Sequence, residues 1–223
     1  MKAKLNWFGL VGGILTILVV VFSVFYPWWQ LTVSGNFGDS SISVQGDLKA
    51  NVSPVNTNFG FLGTSFTIPL ITALNIVSLL SLVASGIVML IYSVIPAKPY
   101  SKHLLGFAYK KPLLILIFFV AGLIAISLIV QAIVGIGIPL MGSTTVTLPQ
   151  FFSSSVTISV LLSAGFQWPF WLAVIAAGLC IAARLYHKKV AAPKQPTEPV
   201  AVAPPASPAP ETTAPITAPA VAA

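Results

Sequence analysis

Few side chains in this 223-residue chain can do acid–base, nucleophilic or metal chemistry, and those few are scattered. The carboxylates are Asp39, Asp47, Glu198 and Glu211, the imidazoles His103 and His187, and the one thiol Cys180. Asp39, Asp47 and Asn51 offer hard oxygen ligands of the kind that hold calcium. Their spacing matches no calcium-loop pattern, so solvated strand and turn residues are the simpler reading. Neither histidine has a carboxylate near it in sequence to orient it as a general base. Cys180 lies in an apolar run, reads as a small buried residue, and has no second cysteine for a disulfide. Asn51-Val52-Ser53 fits the N-glycosylation acceptor pattern, with Pro54 directly after it. No nucleophile–base pair and no metal set emerges, so the expectation is a non-enzymatic protein without cofactor or metal.

The elements that carry these residues are written in hydropathy. The chain is 57% hydrophobic and 7% charged, against roughly a quarter charged in soluble proteins. Four apolar runs predict helices at about 7–26, 69–95, 113–139 and 168–186. At 1.5 Å per residue each is long enough to cross a hydrocarbon core of about 30 Å. Ten of the eleven Lys and Arg residues flank these runs on what alternation makes one side: Lys2, Lys4, Lys98, Lys102, Lys110, Lys111, Arg184, Lys188, Lys189 and Lys194. Only Lys49 falls on the other. The positive-inside rule then predicts a multi-pass protein of the cell membrane with both termini and the middle loop cytoplasmic. The formal charge of +7 is thus a topology signal and a modest attraction to anionic inner-leaflet lipid. It does not point to nucleic acid, for no basic surface with interleaved aromatics accompanies it. The first run is longer than a secretory h-region and ends in Tyr26-Pro27-Trp28-Trp29, not in small residues, which predicts a retained helix. Tyr26, Trp28, Trp29, Trp168 and Trp171 are expected to form an interfacial aromatic belt.

The two segments between helices on the outer side, 30–67 and 140–167, carry strand patterns. Leu31 and Val33 alternate with Thr32 and Ser34, and Ile42, Val44, Leu48, Ala50 and Val52 recur at even spacing. Period-2 alternation predicts strands with one buried face, and Asn36-Phe37-Gly38-Asp39 supplies turn chemistry. Thr144–Leu148 and Val156–Val160 repeat the pattern in the second segment. The fold class expected is an all-α bundle of four transmembrane helices with a small extracytoplasmic antiparallel β-sheet formed by the two outer loops. That assembly occupies 1–189. The Pro/Ala-rich stretch 190–223 cannot bury enough apolar surface to offset the entropy of ordering and is expected to be a disordered cytoplasmic tail. Both halves read helix, strands, X-Pro, return helix and basic exit, an outline that four-helix topology also generates without duplication.

The predicted helical interiors hold no Asp, Glu, Lys or His, which counts against proton relays and charged ion paths. Their polar members are hydroxyls, Asn75 and Gln131; the two amides are candidate interhelical contacts that pin helix register. Small residues such as Ala173, Ala177, Gly178 and Ala182 suit close helix approach.

The layout resembles claudin-type tetraspan proteins, through its topology, Trp28-Trp29 and the strand pattern, over residues 6–189. The resemblance implies four helices, cytoplasmic ends and a sheet built from a long first and a shorter second outer loop. That family's Gly-Leu-Trp and cysteine pair do not occur here, so no functional residue is carried over. The expected function is a non-enzymatic surface or scaffold protein presenting an outer β-domain to another membrane or envelope protein, or to itself, with the lipid bilayer as its solvent. The alternative is a passive channel or transporter subunit with a polar path near Asn75 and Gln131.

Overall fold

A computed structural model describes residues 5–37, 48–61, 64–96, 98, 100–148 and 158–191. The stretch 38–47 with its two aspartates, the 149–157 connection and the Pro/Ala-rich tail lie outside the described residues.

Among the described residues are four helices, α1 (Trp7–Phe25), α2 (Pro69–Val94), α3 (Ser101–Val134) and α4 (Trp168–Ala191). Each is long and apolar enough to cross a membrane. Six strands, β1 (Trp29–Phe37), β2 (Leu48–Val52), β3 (Asn58–Phe61), β4 (Thr64–Phe66), β5 (Gly142–Leu148) and β6 (Ile158–Phe166), form one antiparallel sheet in the order β4-β3-β2-β1-β6-β5. β1 to β4 fall between α1 and α2, and β5 and β6 between α3 and α4. The β1–β6 ladder, from Trp29↔Phe166 to Phe37↔Ile158, joins the two segments into a single sheet.

Local chemistry explains the boundaries. Asn6 caps α1, its Oδ1 accepting from Gly9 N–H at 3.2 Å. Pro27 cannot continue a helix, and it holds Tyr26 extended (φ −125°, ψ 134°). The chain therefore leaves α1 and enters β1 almost at once. β6 enters α4 just as directly, so two helices that pack together continue into two strands that pair together. At this junction Gln167 N–H donates to the Trp28 carbonyl at 2.8 Å.

The next turn, 53–57, seals the end of α1. Ser53 Oγ lies 3.2 Å from the Ser23 carbonyl, and Asn56 Nδ2 donates to the Val24 carbonyl at 3.1 Å. Two carbonyls that the helix end leaves without an intrahelical partner are thereby served.

The third helix departs from expectation. The sequence pattern predicts a helix over 113–139 that follows Pro112; the helix begins at Ser101, passes through Pro112 and stops at Val134. The stop is Gly135, in the left-handed region at φ 74°, which ends a helix at no Cβ cost. Passage through Pro112 leaves the Ala108 carbonyl without its helical N–H donor. Ser85 of α2 replaces that donor, its Oγ donating to Ala108 C=O at 2.6 Å, with both residues buried.

Helix packing turns on α1 glycines. A Cβ on Gly13 would stand 2.9 Å from Leu90 Cδ2 and 3.2 Å from the Gly86 carbonyl, and one on Gly86 only 2.8 Å from Ile17. Gly13 and Gly86 thus let α1 and α2 touch backbone to backbone, and Gly12 does the same for α1 against Cys180 of α4. In lipid, where apolar burial does not drive helix association, such contact is a main source of cohesion. Ala173, Ala176, Ala177 and Ala183 are buried as small contact residues, but a Cβ on Gly178 meets open space.

Candidate functional site

Above the bundle the sheet has two unlike faces. Trp29, Leu31, Leu162 and Ala164 are buried on one side and pack with Leu123 of α3, flanked by Ile136, Ile138 and Leu140. The other side carries Gln30, Thr32, Ser34, Lys49, Asn51, Asn58, Ser143, Thr145, Thr147 and Ser163, with the exposed Leu161 among them, as period-2 alternation requires. Lys49 is the only charged side chain among the described strand residues. Asn51, the glycosylation candidate, sits inside this sheet, paired with Gln30 and Asn58, with its Oδ1 buried and without a hydrogen-bond partner among the described residues. It is not the surface-loop asparagine that such a modification requires.

Beneath the apolar face lies a cavity of about 800 Å³. Its roof is the sheet (Trp29, Leu31, Ala50, Val52, Phe59), and its walls are the first half of α2 and the second half of α3. The buried side chains of α2 lie between Leu82 and Ser93, and those of α3 mostly before Leu123. The two helices are therefore held together around Ser85–Ala108 and part toward the sheet. Leu74, Phe118 and Ile126 line the cavity and are also largely exposed, which puts them at its mouth. The lining is almost wholly apolar. Ser127 Oγ donates to Ile138 C=O at 2.7 Å, Thr57 Oγ1 to Ser53 C=O at 3.0 Å, and Ser53 is held in its turn. Asn75 also lines this cavity, half-buried, and no hydrogen bond engages its amide among the described residues.

A second polar cluster lies at the opposite end of the bundle. Asn6 is fully buried there, and its Nδ2 donates to Tyr92 Oη at 2.9 Å and to Ala183 C=O at 3.1 Å. Tyr92 Oη also lies 2.9 Å from His187 Nδ1, a hydrogen bond in which the imidazole tautomer decides which group donates. His187 is 8% exposed and its Nε2 has no partner among the described residues. Arg184 donates to Tyr109 Oη and lies over that ring, 4.4 Å from its centroid. The start of α1, the end of α2, the start of α3 and the end of α4 all meet at this end. They carry Lys102, Lys110, Lys111, Arg184 and Lys189, with Lys98 in the turn between α2 and α3.

Comparison with known protein families returns no match for this chain, and a search of curated proteins returns none either.

The residues singled out from sequence divide as follows. Asn75 and Gln131 do not meet: Asn75 faces the cavity, whereas the Gln131 side chain is exposed near the end of α3, and only its carbonyl is used, by Gly135 N–H at 3.0 Å. Tyr26, Trp168 and Trp171 are exposed, Tyr26 and Trp168 with ring centroids 5.4 Å apart. Trp28 and Trp29 are placed differently. They are 1% and 5% exposed and belong to the core. Trp28 Nε1 donates to Ser23 Oγ at 2.6 Å and its ring packs edge-on to Phe119 and Phe170. Trp29 Nε1 donates to Leu140 C=O at 2.9 Å. Each indole N–H has a protein partner, so neither needs the wet interface. Cys180 is fully buried as expected, with Thr16 Oγ1 3.9 Å away. Among the described residues no three His, Cys, Asp or Glu side chains are grouped to hold a metal.

Sequence reasoning missed the Asn6–Tyr92–His187 cluster and the α1 glycines. The first had a faint signal: an N-cap asparagine placed directly before an apolar run. The second was plainer, since Gly9, Gly12 and Gly13 repeat on one side of a helix at small-xxx-small spacing.

Proposed function

We propose that the chain is a multi-pass membrane protein with both termini cytoplasmic, and that it holds its β-sheet beyond the opposite membrane face as a non-enzymatic interaction surface. The partner is another membrane or envelope protein, or a second copy of the chain. The observation that carries this reading is the two-faced sheet at the end of the bundle opposite the cluster of lysines at the helix ends. Its apolar face is turned toward the helices, and its amide- and hydroxyl-rich face is turned away from them. Two direct helix-to-strand passages and the Trp28 junction fix that face rigidly to the bundle, as recognition by a preorganised surface requires. The outer edge of β5 adds a row of backbone groups for strand pairing.

The alternative, a passive path past Asn75 and Gln131, draws less support. The two amides line no common cavity, and the cavity that Asn75 faces is apolar. The test is cysteine crosslinking in intact membranes from Thr145→Cys, on the exposed edge strand, with Leu128→Cys on the exposed face of α3 as control. A discrete protein adduct from Thr145→Cys alone is expected. If neither position ever captures a protein, the interaction-surface reading fails.

A further inference from the structure

We infer that the cavity under the sheet is a lateral binding site for the acyl chains of a bilayer lipid, entered between α2 and α3. The inference rests on the membrane placement proposed above, and not on what the sheet binds.

The mouth decides the route of entry. Leu74, Phe118 and Ile126 are its lips, and Leu70 and Ile129 are exposed beside it on the same two helices. Such a surface at span depth faces hydrocarbon, so the opening communicates with lipid and not with water. The lining decides the chemistry. Of its hydroxyls, those of Ser53, Thr57 and Ser127 are already committed to backbone carbonyls, which leaves Ser78, one turn from Asn75 on α2. A polar ligand would give up its hydrogen bonds to water and find few in return, whereas an alkyl chain has none to give up.

Size agrees. Along α2 the lining runs from Ile68 to Ser78, and along α3 from Ile115 to Ser127, which at 1.5 Å per residue is about 15–18 Å. That is roughly half of a ~30 Å hydrocarbon core, one leaflet. The volume of about 800 Å³ lies within the roughly 300–1,000 Å³ of ordinary small-molecule sites.

Asn75 supplies a free polar handle. The 26 residues of α2 span about 39 Å, about 9 Å more than the hydrocarbon needs. With that excess shared between its two ends, Asn75 stands a few ångströms inside the boundary, where a glycerolipid's ester carbonyls join its chains. An amide without a protein partner among the described residues at that depth is a donor for such a carbonyl.

The experiment uses the full chain in vesicles containing phosphatidylcholine with a photoactivatable diazirine in one acyl chain. Adducts are mapped by mass spectrometry. Expected are adducts on Phe119 and Leu123, cavity residues on the inner side of α3 that a lipid on the outer surface of the bundle does not reach. Gly122 lines the cavity, and a Cβ there meets nothing within 4 Å. Gly122→Phe, whose Cβ has open space, puts a ring into the site and abolishes those adducts while leaving those on Leu70 and Ile129. Gly178→Phe, placed in equally open space on α4 away from the cavity, leaves both sets unchanged. Adducts confined to Leu70, Ile129 and other outer positions in the wild-type protein overturn the lipid site and leave the membrane reading standing. No adducts on any helix overturn both.

Discussion

The bond between Ser85 and Ala108 makes a sharp prediction, because Pro112 is the reason it exists. Proline removes the N–H that would serve the Ala108 carbonyl, and Ser85 Oγ takes its place at 2.6 Å in a buried setting. Ser85→Ala leaves that carbonyl with no donor. Hydrogen bonds between transmembrane helices average only about 0.6 kcal/mol when the freed group finds another partner. An orphaned buried carbonyl costs more, about 1–3 kcal/mol. The better helix propensity of alanine returns a few tenths of a kcal/mol, so the net cost should be about 1–2 kcal/mol. In a Pro112→Ala background the new N–H serves Ala108 from within α3, and Ser85→Ala should then cost no more than about 0.5 kcal/mol. The double-mutant cycle therefore predicts a coupling of about 1 kcal/mol, with the propensity gain common to both arms and cancelling. Reversible unfolding in mixed micelles, followed by tryptophan fluorescence, measures it. Equal costs of Ser85→Ala in the two backgrounds would falsify the claim that serine substitutes for the donor that proline lacks.

Other consequences follow from the same packing. Asn6→Ala removes the α1 cap and unhooks Tyr92 and Ala183, and should cost roughly 2–3 kcal/mol in the same unfolding measurement; a loss under about 0.5 kcal/mol would mean that the cluster is incidental. Gly13→Ala forces its Cβ against Leu90 and the Gly86 backbone and should destabilise by about 1–3 kcal/mol. Gly178→Ala, with open space around it, should be neutral or gain up to about 1 kcal/mol, and a reversed ranking would show that the α1–α2 contact is not tight. Cys180, fully buried against α1, should resist maleimide in folded protein and react only once denatured; rapid labelling of folded protein would contradict its place between α1 and α4.

Much of the architecture was legible in the sequence because it depends on short-range pattern. Apolar runs gave the helices, and period-2 alternation gave strands in both inter-helix segments, although Asn36 and Phe37, read as the start of a turn, are the last residues of β1. What escaped was what depends on partners far away in sequence. Pro112 reads locally as a helix boundary; only a serine far earlier in the chain, on another helix, makes it tolerable inside one. Trp28 and Trp29 read as a belt because tryptophan beside proline at a helix end usually faces headgroups. Their burial requires Ser23 and Leu140 to accept two indole N–H bonds, and pairing of the two segments through β1 and β6. Asn75 and Gln131 read as a pair by type and depth, yet the parting of α2 from α3 gives them different surroundings. The cavity itself has no sequence signature, since it is a space left where two helices separate beneath a sheet.

The central claim is that the sheet and the lysine-rich end of the bundle lie on opposite sides of a membrane. It is tested most directly by labelling single cysteines at Thr145 and at Lys110 with a membrane-impermeant maleimide, first in intact cells and then after permeabilisation. Thr145→Cys should react in intact cells and Lys110→Cys only once the membrane is opened. Reaction of both in intact cells, or of neither, would contradict it.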